Sequence, residues 1–531
     1  MTQSACVISQ LSLEINHTHL FSDLTLQLGF KQASALIGRN GQGKSLLMAL
    51  LAQQKLTLAY QGEIQWHCPH AYLPQLNRLT GQSIADALNI TELADCFSRI
   101  ENGDATTDDF AQVDGCWHLP QQWQVMLESA QLPTDLNFPL QHLSEGQTTK
   151  LALCRLFQLK DHYLLLDEPS NHLDHASRQW LIEQIAQHPA GCLLISHDRA
   201  LLQHVQHIFA LNEHGLQHYG GNYANYQQQQ QAQMQALQRR VEHDKRDVKQ
   251  MKQQQHETLM KAEKRKQAGN KIRRSGSQAK ILLDFKKEQA QHSVASLGKQ
   301  LDKQLQHSMH NLQNHQQQLE KIKAQRFELQ FSRATQQGEI LRLNQIRLAQ
   351  LNIEPIHFAL AAGEKIQLSG ANGVGKSTLL KLIQFKSKPM QGELYLAVEA
   401  LYLDQNFSFL AQDQSALENL MRLCAETAEL EYRRLLGQLR LRGDKALLPL
   451  HCLSGGEQLK VALLAISQLS AKIQLLLLDE PENHLDIESR SLLAEAIRAY
   501  PGSVILVSHD KSFVEECGIE QSYSICQGQV R

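Results

Sequence analysis

The 531-residue chain lacks any apolar run long enough to cross a membrane. Its longest runs, such as the four leucines at 475–478, fall far short of the roughly 20 residues a spanning helix needs. The opening MTQSACVISQLSLEINHTHL has no basic segment followed by an apolar stretch, so it does not read as a signal peptide. The ten cysteines show no CxxC pair or regular spacing, which argues against a disulfide framework or a zinc cage and suggests reduced thiols in a cytoplasmic protein. Neither sign of charge is in surplus: 52 Lys and Arg face 54 Asp and Glu, so any nucleic-acid binding must come from a local patch.

What is present is a long internal repeat. GRNGQGKS at 38–45 returns as GANGVGKS at 370–377, LSEGQ at 143–147 as LSGGE at 453–457, and YLLLDEPSNHLD at 163–174 as LLLLDEPENHLD at 475–486. LISHD at 194–198 returns as LVSHD at 506–510, and the interval from Glu168 to His197 equals that from Glu480 to His509. A whole domain is therefore duplicated, with copies at 1–218 and 335–531. Each copy has a β-rich opening, a glycine loop entering an apolar helix, and later apolar strands alternating with helical patterns. That order predicts an α/β fold with parallel strands.

The glycine loops predict phosphate binding, because GxxxxGK[ST] points backbone N–H groups and a helix N-terminus at phosphate oxygens. The candidates are Gly38, Arg39, Asn40, Gly41, Gln42, Gly43, Lys44 and Ser45 in the first copy. In the second they are Gly370, Ala371, Asn372, Gly373, Val374, Gly375, Lys376, Ser377 and Thr378. Lys44 and Lys376 would contact the β/γ-phosphates of ATP, and Ser45 and Ser377 would ligate Mg²⁺. Asp167 and Asp479, at the ends of the leucine strands, would hold the same cation. Glu168 and Glu480 would polarise the attacking water. Gln75 and Gln405 are further candidates for the cation or its water. His197 and His509 would sense the γ-phosphate.

Glycine loop, glutamine, signature, DEP strand and SHD strand, in this order and twice over, resemble an ATP-binding cassette. The resemblance covers nearly all of the chain outside 219–334. It implies two P-loop cassette domains joined head to tail within one monomer. Ser454, Gly455 and Gly456 would then face the ATP on Lys44, and Ser144 and Gly146 the ATP on Lys376.

The segment 219–334 shifts to Gln, Lys, Arg and His. Met234, Leu237, Val241, Val248 and Met251 fall on heptad spacing, as do Leu305, Leu312, Leu319 and Ile322. This predicts an antiparallel helical hairpin turning near Gly269–Gly276, with arms of roughly 50 Å. From 237 to 287 sixteen Lys and Arg stand against six Asp and Glu. A charge run is ordinarily a solvated coiled-coil face, but an excess of this size also suits a phosphate backbone. Arg265, Lys266, Lys271, Arg273 and Arg274 are the candidates for RNA contact.

Two cassettes without a membrane segment, NHLD after each DEP, and YGGNYANY at 219–226 resemble the ABC-F subfamily. That resemblance implies ribosome binding, with the hairpin against tRNA. The alternatives are the ATPase subunit of a membrane transporter and a DNA-maintenance ATPase.

Three features depart from the pattern. Glu145 replaces a signature glycine, which should weaken the Lys376 site by like-charge proximity. Leu46 stands where Thr378 stands in the second loop. No aromatic residue upstream of either glycine loop is placed to stack on adenine, so base preference is left open.

Overall fold

The structure is a computed structural model. It describes residues 4–530 apart from 16–17, 54–58, 76–78, 172, 213–214, 275–298, 301, 320–330, 332–336, 349–354, 371–372, 386–390, 425–426, 440, 442, 484 and 526–528. The chain divides into two units, one made of 1–225 with 325–531 and the other of 226–324.

The leucine strands organise the first unit. Tyr163–Asp167 is buried at every residue, as a strand covered on both faces by other layers must be. It lies in a six-stranded sheet ordered His70–Leu73, Tyr163–Asp167, Cys192–Ile195, Ala33–Ile37, His207–Asn212 and Gly215–Gly220. All pairings are parallel except the last. The second copy repeats the order with Glu399–Asp404, Ile473–Asp479, Ser503–Val507, Lys365–Ser369, Gln521–Ser524 and Gln529–Val530. Each copy adds a three-stranded antiparallel sheet, Thr18–Gly29, Ser4–Ile15 and Tyr60–Trp66 in the first, and Ile356–Ala361, Glu339–Arg347 and Gln391–Leu396 in the second. Duplication thus extends to strand order and register.

In each copy one apolar core lies between the two sheets around the glycine-loop helix, Lys44–Leu51 or Lys376–Phe385. A second core lies under a helical layer. The first copy's layer includes Ile84–Leu88, Thr91–Asn102, Thr107–Val113, Leu119–Ser129 and Glu145–Phe157. Ser83 with Asp86 and Thr106 with Asp109 form capping boxes that start two of these helices. Parallel strands ending together put Asp167, Asp479 and both glycine loops at the carboxyl edges of the sheets, where ligands bind in open α/β folds.

The second unit is helical. Tyr223–Arg274 is one helix of 52 residues, about 78 Å at 1.5 Å per residue, longer than the arm expected from sequence. Gly269 lies within it, so the expected turn does not begin there. Helical residues 302–319 run back alongside: Ser308 meets Met251 at 3.3 Å and His315 meets Asp244 at 2.7 Å, while Gln255 pairs with Asp302. Later residues on one arm meet earlier ones on the other, which defines an antiparallel pair. Leu237, Val241 and Val248 from the heptad positions are buried. The unit begins at Tyr226 rather than 219 because Gly215–Gly220 is the edge strand of the first sheet. Arg265, Lys266, Lys271, Arg273 and Arg274 lie along the helix backbone, and their side chains are outside the described residues.

Candidate nucleotide site

The first glycine loop turns through left-handed backbone at Gly41 (φ 82°) and Gly43 (φ 85°), which glycine adopts without a Cβ penalty. A Cβ on Gly43 would stand 2.3 Å from the Leu20 side chain, so close packing also requires glycine there. Lys44 opens the following helix, and its ammonium donates to the carbonyls of Gly38 at 2.7 Å and Arg39 at 3.0 Å. Burial pushes the Lys44 pKa down, while Glu168, Asp486 and Asp167 pull it back. In the second loop Gly373 and Gly375 have the same handedness, and Lys376 donates to the Gly370 carbonyl at 2.8 Å. Ala371 and Asn372 lie outside the described residues.

Both glutamates after the leucine strands have positive φ, 50° at Glu168 and 47° at Glu480. A non-glycine residue in that region costs about 1–3 kcal/mol, and such strain gathers at functional sites. The backbone is held there because Glu168 N–H donates to the Ile195 carbonyl and Glu480 N–H to that of Val507, each at 2.9 Å. His197 Nε2 then stands 3.4 Å from Glu168 Oε1, and His509 Nε2 stands 3.4 Å from Glu480 Oε1.

The two pairs differ in enclosure. Glu168 and His197 side chains are 11% and 12% exposed, against 32% and 18% for Glu480 and His509. Burial therefore pushes Glu168 up to about 8 and His197 down to about 3. At Glu480 burial is outweighed by His509, Asn483 and Lys376, and its pKa is lowered. Asn483 donates to Glu480 Oε2 at 2.7 Å.

A cavity of about 540 Å³ joins the first site to the opposite cassette. The first copy contributes Gly41, Gly43, Lys44, Ser45, Gln75, Asp167, Glu168 and His197, and the second contributes Gly455, Glu482, Asn483, Leu485, Arg490 and Asp510. Leu20, an aliphatic residue upstream of the glycine loop, also lines it. The residues fit a divalent cation: both Asp167 carboxylate oxygens are buried without a donor in hydrogen-bond geometry, in the same wall as Ser45 and Gln75. At the second site, one oxygen of Asp479 accepts the Tyr402 hydroxyl at 2.7 Å. Gln405 directly follows the strand Glu399–Asp404 and is exposed.

The signature residues divide their work. Gly455 lines the cavity, while Gly456 packs against the first turn of the helix Ile487–Ala499: a Cβ there would meet Ser489 Oγ at 2.4 Å. The Ser454 hydroxyl donates to Glu457 and caps its own helix, as Ser144 does by accepting the Gln147 N–H. Glu145 and Gly146 open the helix Glu145–Phe157, and Glu145 is exposed.

Several residues at the junction were not assigned from sequence. Asp486 Oδ2 accepts the Asn40 N–H at 3.1 Å, and Arg39 pairs with Glu488 at 2.9 Å. Arg199 donates to Ser491 at 2.8 Å, and Arg178 lies 3.6 Å from Asp198 and 3.8 Å from Asp510. The tails of the repeated NHLD and SHD motifs were the available signal: Asp486, Asp198 and Asp510 are their final residues.

A family model described as "ABC transporter" matches residues 21–171 and 353–483. The chain is 29% identical to ATP-binding protein Uup of Buchnera aphidicola subsp. Acyrthosiphon pisum, over 96% of this chain and 78% of that one. It is 27% identical to ABC transporter F family member 2 of Dictyostelium discoideum, over 97% and 84%. Among solved structures it resembles the complex of archaeal ribosomal stalk protein aP1 and archaeal ribosome recycling factor aABCE1, with a TM-score of 0.52, 18% identity and coverage of 98% and 87%. No helix among the described residues is long and apolar enough to cross a membrane. The chain belongs to the ABC transporter family, as a tandem-cassette member of its ABC-F branch.

Proposed function

We propose that the chain is an ATPase that closes its two cassettes around Mg-ATP, binds the ribosome in that state, and lets go after hydrolysis. One observation carries the reading: a single cavity is walled by Lys44, Asp167, Glu168 and His197 of one cassette and by Gly455 of the other. A nucleotide there would touch both halves, so its γ-phosphate would fasten them and the loss of that phosphate would release them. The bound cation would supply charge neutralisation at the phosphates.

Within this reading Lys44 binds the phosphates, Asp167 and Ser45 hold the cation, and Glu168 orients the water, with His197 3.4 Å from its carboxylate. Lys376, Ser377, Asp479, Glu480 and His509 repeat the assignment in the second cassette. The ribosome enters through two supports: the excess of ten positive charges in 237–287, and likeness to a fold whose solved example is titled a ribosome recycling factor. Arg265, Lys266, Lys271, Arg273 and Arg274 would meet tRNA or rRNA phosphates.

The test replaces Glu168 and Glu480 with Gln and sediments a cell lysate with ATP. Co-migration with ribosomes is expected. Co-migration with membranes would turn the assignment to a transporter subunit, and with DNA to a maintenance ATPase. Neutralising Arg273 and Arg274 should weaken the ribosome association while basal ATPase stays unchanged.

A further inference from the structure

The two cassettes repeat each other closely around the DEP strand, yet one buried position differs in kind. After the proline the first copy has Ser170 and the second has Glu482. Ser170 faces Ser196 at 3.4 Å, hydroxyl to hydroxyl, a neutral contact beside His197. In the second copy the Ser508 hydroxyl, beside His509, donates instead to Glu482 Oε1. The other oxygen, Oε2, is buried without a hydrogen-bond partner, and Glu482 lines the cavity on Lys44. Glu482 is 8% exposed, so a carboxyl group has been enclosed between two nucleotide sites with half its acceptors unused.

The surroundings do not supply a cation dedicated to this group. From its own segment it faces Glu480, a like charge. From the helix Ile487–Ala499 it faces Arg490, whose guanidinium is paired with Asp510. Beyond the end of Lys511–Glu516 lies the Cys517 thiol. From the first cassette the same cavity wall brings Arg178 with Asp198, and Lys44 with Glu168 and His197. A charged carboxylate left out of water with an unmet oxygen is strongly disfavoured, and a buried acid usually escapes that cost by taking up a proton.

We propose that Glu482 is a positioning residue shared by the two nucleotide sites, and that it takes up a proton from solvent when the cassettes close. In the joined state its Oε1 holds Ser508 next to His509, while the buried Oε2 carries the proton. A phosphate in that cavity favours the neutral acid further, since an anion there repels a carboxylate. When the cassettes part, the walls contributed by the first copy leave, water reaches Glu482 and the proton is released.

Burial raises the Glu482 pKa to about 7 from an ordinary 4.5, against the lowering by Ser508, by its own backbone N–H and by Arg490. The sign follows from linkage. The closed form binds the proton more tightly, so closure is favoured below about pH 7 and loses this contribution as pH rises. With those two values the linked part of nucleotide affinity falls roughly tenfold from pH 6 to pH 8.

The inference rests on nucleotide-driven closure as proposed above, and the experiment separates the two. Binding of magnesium with the β,γ-imido analogue of ATP is measured by calorimetry on the full chain at pH 6, 7 and 8, in two buffers of different ionisation enthalpy. Wild type is compared with Glu482→Gln, which keeps an acceptor for Ser508, and with Glu482→Ser, which copies the first cassette. Subtracting variant from wild type cancels protons bound by the analogue, Glu168 and His197. Wild type is expected to take up close to one more proton than either variant at pH 6, and its affinity to fall roughly tenfold more by pH 8. If the Gln variant fails to fold, judged by its melting curve, the Ser variant decides. Equal proton uptake and equal pH dependence would overturn the role of Glu482 alone. Absence of analogue binding in wild type would overturn the nucleotide reading and this inference with it.

Discussion

Asp486 of the second cassette accepts the Asn40 N–H of the first glycine loop at 3.1 Å, while its other oxygen accepts the Ser489 N–H at 2.8 Å. One carboxylate therefore caps the helix Ile487–Ala499 and grips the opposite cassette. Replacing it with Ala should remove both, with about 1 kcal/mol of stability lost from the cap. Asp486→Asn should keep the cap through its amide oxygen. Urea titration of both variants, beside nucleotide affinity of a protein whose second site is disabled by Lys376→Ala, checks this. Asn is expected to hold the unfolding midpoint near wild type and Ala to lower it. Affinity at the Lys44 site should fall in the Ala variant. Equal midpoints would contradict the cap.

Turnover should depend unequally on the two glutamates. Glu168 sits in the cavity walled by both cassettes, and Glu480 is more open to water. A positioned acid or base ordinarily contributes roughly 10²–10⁴-fold. Replacing both with Gln should therefore lower phosphate release by at least about 100-fold. Glu168→Gln alone should account for the larger share, and equal losses from the single variants would contradict the difference in enclosure.

The fold was readable because its marks are local. Glycines that must turn left-handed, leucine runs closed by Asp-Glu and an unchanged motif order each follow from short stretches of chain. The junction was not, because Asn40 and Asp486 are 446 residues apart and no local pattern links them. Gly456 also packs so closely that a Cβ there would strike Ser489, a constraint visible only in three dimensions. The turn expected near Gly269–Gly276 does not begin at Gly269, since a single glycine costs a helix only about 1 kcal/mol, and the part of it beyond Arg274 lies outside the described residues. Glu482 lies inside a repeated motif, but sequence does not reveal that its second oxygen lacks a partner.

Glu145 should weaken whichever nucleotide meets the first signature. It opens the helix Glu145–Phe157, where a phosphate would benefit from the positive helix end and an acidic side chain would repel it. Replacement by Gly removes the repulsion, an effect of about 1 kcal/mol or roughly fivefold in affinity at the Lys376 site. The same change should lower helix stability by about 1 kcal/mol, because Gly is a poor helix former and a favourable first-turn acid is lost. Fluorescent nucleotide titration in a Lys44→Ala background tests the first effect and thermal melting the second. An unchanged Kd would show that Glu145 does not face the nucleotide.

Acid should loosen the first helical layer within a defined window. Asp109 accepts Arg99 Nε at 3.2 Å and the Thr106 N–H at 2.8 Å, and these bonds hold its carboxyl well below the ordinary 3.8. Asp86 is lowered to about 2, first by the Gln82 N–H and then by the Thr91 hydroxyl and the Ser83 N–H. Groups whose folded pKa is depressed contribute stability above their ordinary value, and lose it as pH falls through the folded value. The layer should therefore be stable at neutral pH and weaken from about pH 4 to about pH 2. Trp123, packed edge-on against Phe97 at 6.1 Å, reports on this core by fluorescence. Asp109→Asn lacks the charge at every pH, so it should be less stable than wild type at pH 7 and lose less between pH 4 and pH 2. The gap between the two proteins should close as pH falls, whereas a gap constant across that range would mean that Asp109 stabilises the layer by shape and not by charge.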